Sequence, residues 1–190
     1  MQNNVIKTYK DIFVKNVRCG EYTNKKDMRR LIRYITDSKK EREKEGKKPI
    51  RYIGAYGVPY YNPKLCRDAI YIVKKYYDKM DKVDKTGKPL RSVYHFVISF
   101  PDPIEDADIV KLIAIDTCQY FYNKGFQCIY AVHEDTKHLH IHIAVNSTNF
   151  MTGKQMHFSK SELMSIIIDL KKLAYGILKE NGYWNSFKKE

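Results

Sequence analysis

Hydrophobic positions along this chain alternate in some stretches and recur at helical spacing in others, and the switches between the two periods divide it into elements. Val5 to Val17 contains the apolar run Ile12-Phe13-Val14, a first strand. Asn24 can cap a helix from Lys25 to about Thr36, in which Met28, Leu31, Ile32 and Ile35 fall on one face. The stretch from Ser38 to Lys48 has no Leu, Ile, Val or aromatic residue and reads as an exposed connection. Arg51 to Tyr56 is a short strand. Asn62-Pro63 opens a second helix that runs to about Met80. Its apolar face holds Leu65, Ala69, Ile72, Val73 and Tyr76, with Lys64, Arg67, Lys74 and Lys75 elsewhere.

Thr86-Gly87-Lys88-Pro89 is a turn, and Ser92 to Phe100 is a strand rich in β-branched and aromatic residues that Pro101 and Pro103 end. A third helix spans Ile104 to about Tyr122, with acids in its first turn that suit the helix dipole. Gln127 to His133 and Leu139 to Asn146 are strands joined by a short, hairpin-like connection. Ser159 caps a last helix to about Glu180, which Asn181-Gly182 stops. The order β-α-β-α-β-α-β-β-α with a terminal hairpin predicts an α+β domain: a central antiparallel sheet of about five strands flanked by helices. There is no internal repeat, so residues 1–190 read as one domain.

Charge narrows the choice of partner. Lys and Arg number 35 against 22 Asp and Glu, a net charge of +13, which favours phosphate-rich partners through counterion release. The 16 tyrosines suit stacking on unpaired bases, although most tyrosines in any fold pack in or around the core. Cys19, Cys66, Cys118 and Cys128 form no C-x-x-C pair, so thiolate zinc sites are not expected and a reducing cytoplasm is. The start of the chain has no apolar signal segment, and no apolar run approaches membrane-spanning length, so no membrane insertion is expected.

The chemistry concentrates in His133-Glu134-Asp135-Thr136-Lys137-His138-Leu139-His140-Ile141-His142, which holds four of the six histidines. Residues two apart on a strand share a face, so His140 and His142 point the same way, with Cα atoms about 7 Å apart. If the two strands pair as a hairpin, His133 supplies a third imidazole. Three imidazoles around a divalent ion leave positions open for substrate. His138 is a fourth, weaker candidate at the strand edge. Asp135 is a candidate acceptor for an imidazole N–H or for a nucleophile's proton.

These residues carry a resemblance. His133-Glu134-Asp135-Thr136 followed by Leu139-His140-Ile141-His142-Ile143-Ala144-Val145-Asn146 resembles the third motif of conjugative relaxases of the HUH endonuclease superfamily, and within them the P-type mobilisation class. Met28-Arg29-Arg30-Leu31-Ile32-Arg33-Tyr34-Ile35-Thr36 resembles the first motif, and Val97-Ile98-Ser99-Phe100-Pro101 the second. Asn146-Ser147-Thr148-Asn149 and Thr152-Gly153-Lys154 resemble the segment after the histidines. The resemblance implies that Tyr34 attacks a phosphate polarised by a divalent ion on His133, His140 and His142, leaving a 5′-phosphotyrosine link. Mn²⁺ suits imidazole ligation better than Mg²⁺. Ser99 would hold DNA near the nick, and Lys64, Arg67, Asn146 and Lys154 are further candidate DNA contacts.

The implied substrate is single-stranded DNA at an origin of transfer, handled with relaxosome accessory proteins and a coupling protein in a bacterial cytoplasm. The domain would form the N-terminal part of a longer protein. Two other readings stay open at this stage. A rolling-circle initiator or transposase of the same superfamily would place its tyrosine after the histidines, at Tyr175 or Tyr183; Tyr56, Tyr60 and Tyr61 are further rivals. A non-catalytic single-stranded nucleic-acid-binding module would bind DNA without cutting it.

Overall fold

Backbone hydrogen bonds join five strands into one antiparallel sheet, and helices lie on both of its faces. The structure is a computed structural model describing residues 8–17, 22–36, 46, 50–59, 62–100, 104, 106–134 and 138–183. Its elements are β1 (Phe13–Asn16), α1 (Lys25–Thr36), β2 (Ile50–Tyr56), α2 (Pro63–Tyr76), β3 (Val93–Ser99), α3 (Ala107–Tyr122), β4 (Cys128–His133), β5 (His140–Asn146) and α4 (Lys160–Glu180). Across the sheet the strands run β1-β3-β5-β4-β2, with every neighbour antiparallel. The α+β class and the element order match the sequence expectation.

Local chemistry sets the helix ends. The Asn62 side chain accepts hydrogen bonds from the backbone N–H of Lys64 and Leu65, and Pro63 takes the first turn of α2, where no N–H partner is needed. Ser159 and Glu162 form a reciprocal capping box on α4. α3 begins at Ala107 rather than Ile104, because the Asp106 carboxylate caps it and Ile104 goes into the core. α2 stops at Tyr76 rather than Met80, since Asp78 takes a left-handed backbone with φ of 49°.

Strand alternation splits the core in two. Phe96, Ile98, Tyr130, Val132, Ile141 and Ile143 face α3 and α4. Val93, Ile129, Ala131 and Ala144 face the other way, against α1 and α2. Met28, Leu31, Ile32 and Ile35 are the buried face of α1, as the spacing predicts. Each such aliphatic side chain contributes about 1.5–3 kcal/mol on burial, which anchors α1 firmly to the sheet. Cys118 and Cys128 sit within the first core, where their thiols hydrogen-bond at 2.8 Å and behave as small apolar groups. Cys19 lies outside the described residues.

The second helix departs from expectation in which face it buries. Cys66, Ile70 and Lys74 are fully buried, whereas Leu65, Ile72 and Tyr76 are exposed. α2 has more apolar residues than one stripe can use, so periodicity alone does not fix its rotation. Lys74 settles it. Its Nζ donates to Ser147 Oγ at 2.8 Å and Thr148 Oγ1 at 3.0 Å, just beyond the end of β5. Burial pushes the amine down to about 7 from an ordinary 10.5. The unfolded chain therefore holds this proton up to its ordinary range while the folded chain releases it near neutrality. Stability rises with pH across that window and is lost as pH falls through it. Lys74→Met is expected to abolish this rise. Thermal melts between pH 7 and 10 should show wild type gaining on the variant as pH increases; parallel profiles would refute the buried-amine assignment.

Candidate active site

The site is built from register. β4 pairs with β5 so that His133 stands directly opposite His140, and Ala131 opposite His142. β3 flanks β5 on its other side, with Ser99 opposite His140 and Val97 opposite His142. Because cross-strand partners share a face, His133, His140, His142 and Ser99 all project toward α1 and α2. Ile141 and Ile143 project the other way, which locks the register.

The three imidazoles converge. One ring nitrogen from each of His133, His140 and His142 lies within 4.8 Å of the others, and all three side chains are buried. Ring centroids are 4.5 Å apart for His133 and His142, 4.9 Å for His140 and His142, and 5.7 Å for His133 and His140. Neighbouring groups orient the rings. His140 Nδ1 meets the carbonyl of His138 at 3.2 Å, and His133 Nε2 meets the carbonyl of Ile35 at 3.4 Å. His138 is not part of the cluster; it contributes its backbone carbonyl.

His142 has a partner that sequence reading missed. Its Nδ1 lies 2.9 Å from Nε2 of His95, and His95 Nδ1 lies 3.2 Å from the Tyr22 hydroxyl. Burial, and secondarily the nearness of another titratable ring, His133, pulls His95 down to about 4, so it stays neutral at physiological pH. The signal was present in outline: His95, Val97 and Ser99 share a strand parity, so His95 belongs to the face of Ser99. Which strand neighbours that face could not be read from the sequence.

Tyr34 comes from the last turn of α1. Its ring centroid is 5.3 Å from that of His142 and 5.8 Å from that of His133, and it remains 38% exposed. It is therefore not a core aromatic: Leu31, Ile32 and Ile35 take the core positions and leave Tyr34 over the histidines with access to solvent. The rival tyrosines lie elsewhere. Tyr56 pairs with Cys128 at the opposite end of β4 and packs on Tyr122 at 5.6 Å. Tyr175 and Tyr183 pack against the core on the other face of the sheet. Tyr60 and Tyr61 lie outside the described residues, as does Asp135.

The candidate DNA contacts separate into two groups. The C-terminal end of α2 is tied through Lys74 to the turn after β5; Lys64 and Arg67 lie at the other end of the helix, Lys64 exposed and Arg67 half-buried. Asn146 and Lys154 are not brought to the histidines. Asn146 lies roughly 20 Å along β5 from His140. It is fully buried, with its amide nitrogen donating to Gln127 Oε1 and its oxygen accepting from the N–H of Thr148. It holds the turn after β5. Lys154 is exposed on the following turn, at that same remote end.

No helix among the described residues is long and apolar enough to cross a membrane. A family model described as "Relaxase: MobA/VirD2-like, nuclease domain" matches residues 34–177, a span that begins on Tyr34 and takes in Ser99 and all three histidines. Protein TraI of Escherichia coli is 28% identical over 123 residues, which covers 64% of this chain and 15% of TraI. The chain thus matches only a small part of that relative's length. The sheet, the histidine cluster and the extent of the family match agree, and the chain belongs to the MobA/VirD2-like relaxase nuclease family.

Proposed function

We propose that this domain nicks one strand of DNA at an origin of transfer and keeps the 5′ end as a phosphotyrosine. The observation that carries the reading is the placement of Tyr34, solvent-accessible and within 6 Å, ring to ring, of two members of a buried three-histidine cluster. The Tyr34 hydroxyl oxygen forms a bond to the scissile phosphorus, the bond from phosphorus to the 3′ oxygen breaks, and the strand ends in a free 3′-OH. The phenol proton passes to an acceptor, a role we assign to Asp135, and the departing 3′ oxygen takes up a proton. Phenoxide is a moderate leaving group, so the same step run backwards reseals the strand.

The donor set fits a divalent cation. Three neutral imidazoles with converging nitrogens suit Mn²⁺ better than Mg²⁺, and such an ion supplies charge neutralisation at the phosphate. Ser99, beside His140 on the same face, holds the strand, and Lys64 and Arg67 contact its backbone from α2. Ligation through Nε2 of His142 requires its Nδ1 to carry hydrogen and donate to His95, which in turn donates to Tyr22. His95 is thus a positioning residue for the ligand. Accessory proteins that expose the strand, and a coupling protein that receives the adduct in the cytoplasm, are the partners this chemistry needs.

Incubation with Mn²⁺ and origin oligonucleotides should give an adduct that mass spectrometry maps to Tyr34. Tyr34→Phe is expected to lose it by at least about 10³-fold. An adduct that persists in that variant would exclude Tyr34 as the nucleophile. For the ligand network, Mn²⁺ titration calorimetry is expected to show affinity falling roughly 10- to 100-fold in His95→Ala. His157→Ala, at an exposed histidine away from the cluster, should bind as wild type. Equal affinity in wild type and His95→Ala would remove His95 from the site.

A further inference from the structure

The nuclease reading uses the face that β3, β4 and β5 share and leaves the β1 end of that face without a role. Register carries a straight row across it: Phe13 opposite Ser99, Ser99 opposite His140, His140 opposite His133. The next row runs from Lys15 through Val97 to His142. Phe13 and Lys15 therefore share the face of the histidines, while Val14 and Asn16 turn the other way and are buried. α1 packs on β4 and β5, toward the other edge of the sheet. Phe13 remains 55% exposed and Lys15 is exposed.

An exposed phenylalanine on an edge strand is costly, since edges are ordinarily kept polar or charged to discourage pairing with other chains. Here the aromatic ring and a cation stand two residues apart on the same face, at the margin of the site. With strands about 4.8 Å apart, Phe13 lies roughly 10 Å from His140 across Ser99. That is the reach of a nucleotide neighbouring the one whose phosphate meets the histidines. A flat ring offers a base a stacking surface, and it can do so only for an unpaired base, whose face is free.

We propose that Phe13 and Lys15 form a subsite for the nucleotide that flanks the scissile phosphate. The Phe13 ring stacks on its base, and the Lys15 ammonium pairs with the backbone. The subsite reads strandedness rather than sequence, because every base presents a π-face. It rests on the reading of the domain as a nuclease for single-stranded DNA.

The test uses the full chain, Mn²⁺ and fluorescein-labelled (dT)20, with binding followed by anisotropy. Phe13→Ala is expected to weaken binding about 5- to 150-fold. Phe13→Trp, made with Trp184→Phe so that it carries the sole indole, should bind as tightly as wild type with its emission quenched on the strand. Lys15→Gln should weaken binding and lower the slope of log affinity against log salt by about 1. Because Phe13 is exposed, these changes should leave the core intact, and circular dichroism melts check this. Wild-type affinity in Phe13→Ala, an unquenched indole, or no binding of (dT)20 by wild type would each overturn the subsite. The nuclease reading fails separately: a protein that stacks (dT)20 on position 13 but forms no adduct on origin DNA keeps the subsite and loses the nuclease.

Discussion

The pairing of β4 with β5, which sets His133 opposite His140, is the constraint from which the site follows. Strand side chains alternate, so slipping this pair by one residue would send the imidazoles of one strand into the apolar core and bring its isoleucines or valines out. What prevents the slip is the far face. Val132, Ile141 and Ile143 are fully buried there beneath α3 and α4, and exposing them would cost several kcal/mol. The apolar side of the sheet thus enforces the geometry of the polar side. The same register, continued through β3, brings Ser99 to the cluster and places His95 where it can orient His142.

Burying imidazoles is unfavourable unless their nitrogens are used. Here the surroundings spend one nitrogen per ring on a backbone carbonyl or a second histidine, and the remaining nitrogens converge. A cluster arranged before any ligand arrives avoids paying for ordering at the moment of binding. α1 completes the arrangement from above. Its buried stripe fixes the helix, and the residue next to that stripe, Tyr34, is thereby held beside the cluster while reaching solvent.

Much of this was legible in the sequence, for physical reasons. The termini of α1 and α4 follow from capping side chains and apolar spacing, which are local. The H-x-H pair announces a shared strand face, and the short connection before it brings His133 back. Non-local placement was not legible. The rotation of α2 depends on Lys74 meeting Ser147 and Thr148, a contact spanning more than 70 positions in sequence, and an apolar face drawn through Leu65, Ile72 and Tyr76 missed it. His95 was overlooked because its neighbour across the sheet comes from strand order. The burial of Asn146 was likewise not legible, because the resemblance that singled it out says nothing of burial.

The buried amine of Lys74 also has a mechanical meaning. It pins one end of α2 to the turn after β5, about 15 Å along the helix from Lys64. Cys66 and Ile70, both fully buried, hold the rest of the helix in the core beside α1. With Lys74 as a further fixed point, the axial position of α2 is set as well as its rotation, because a slide of one residue, about 1.5 Å with a turn of about 100°, would carry the amine away from both hydroxyls.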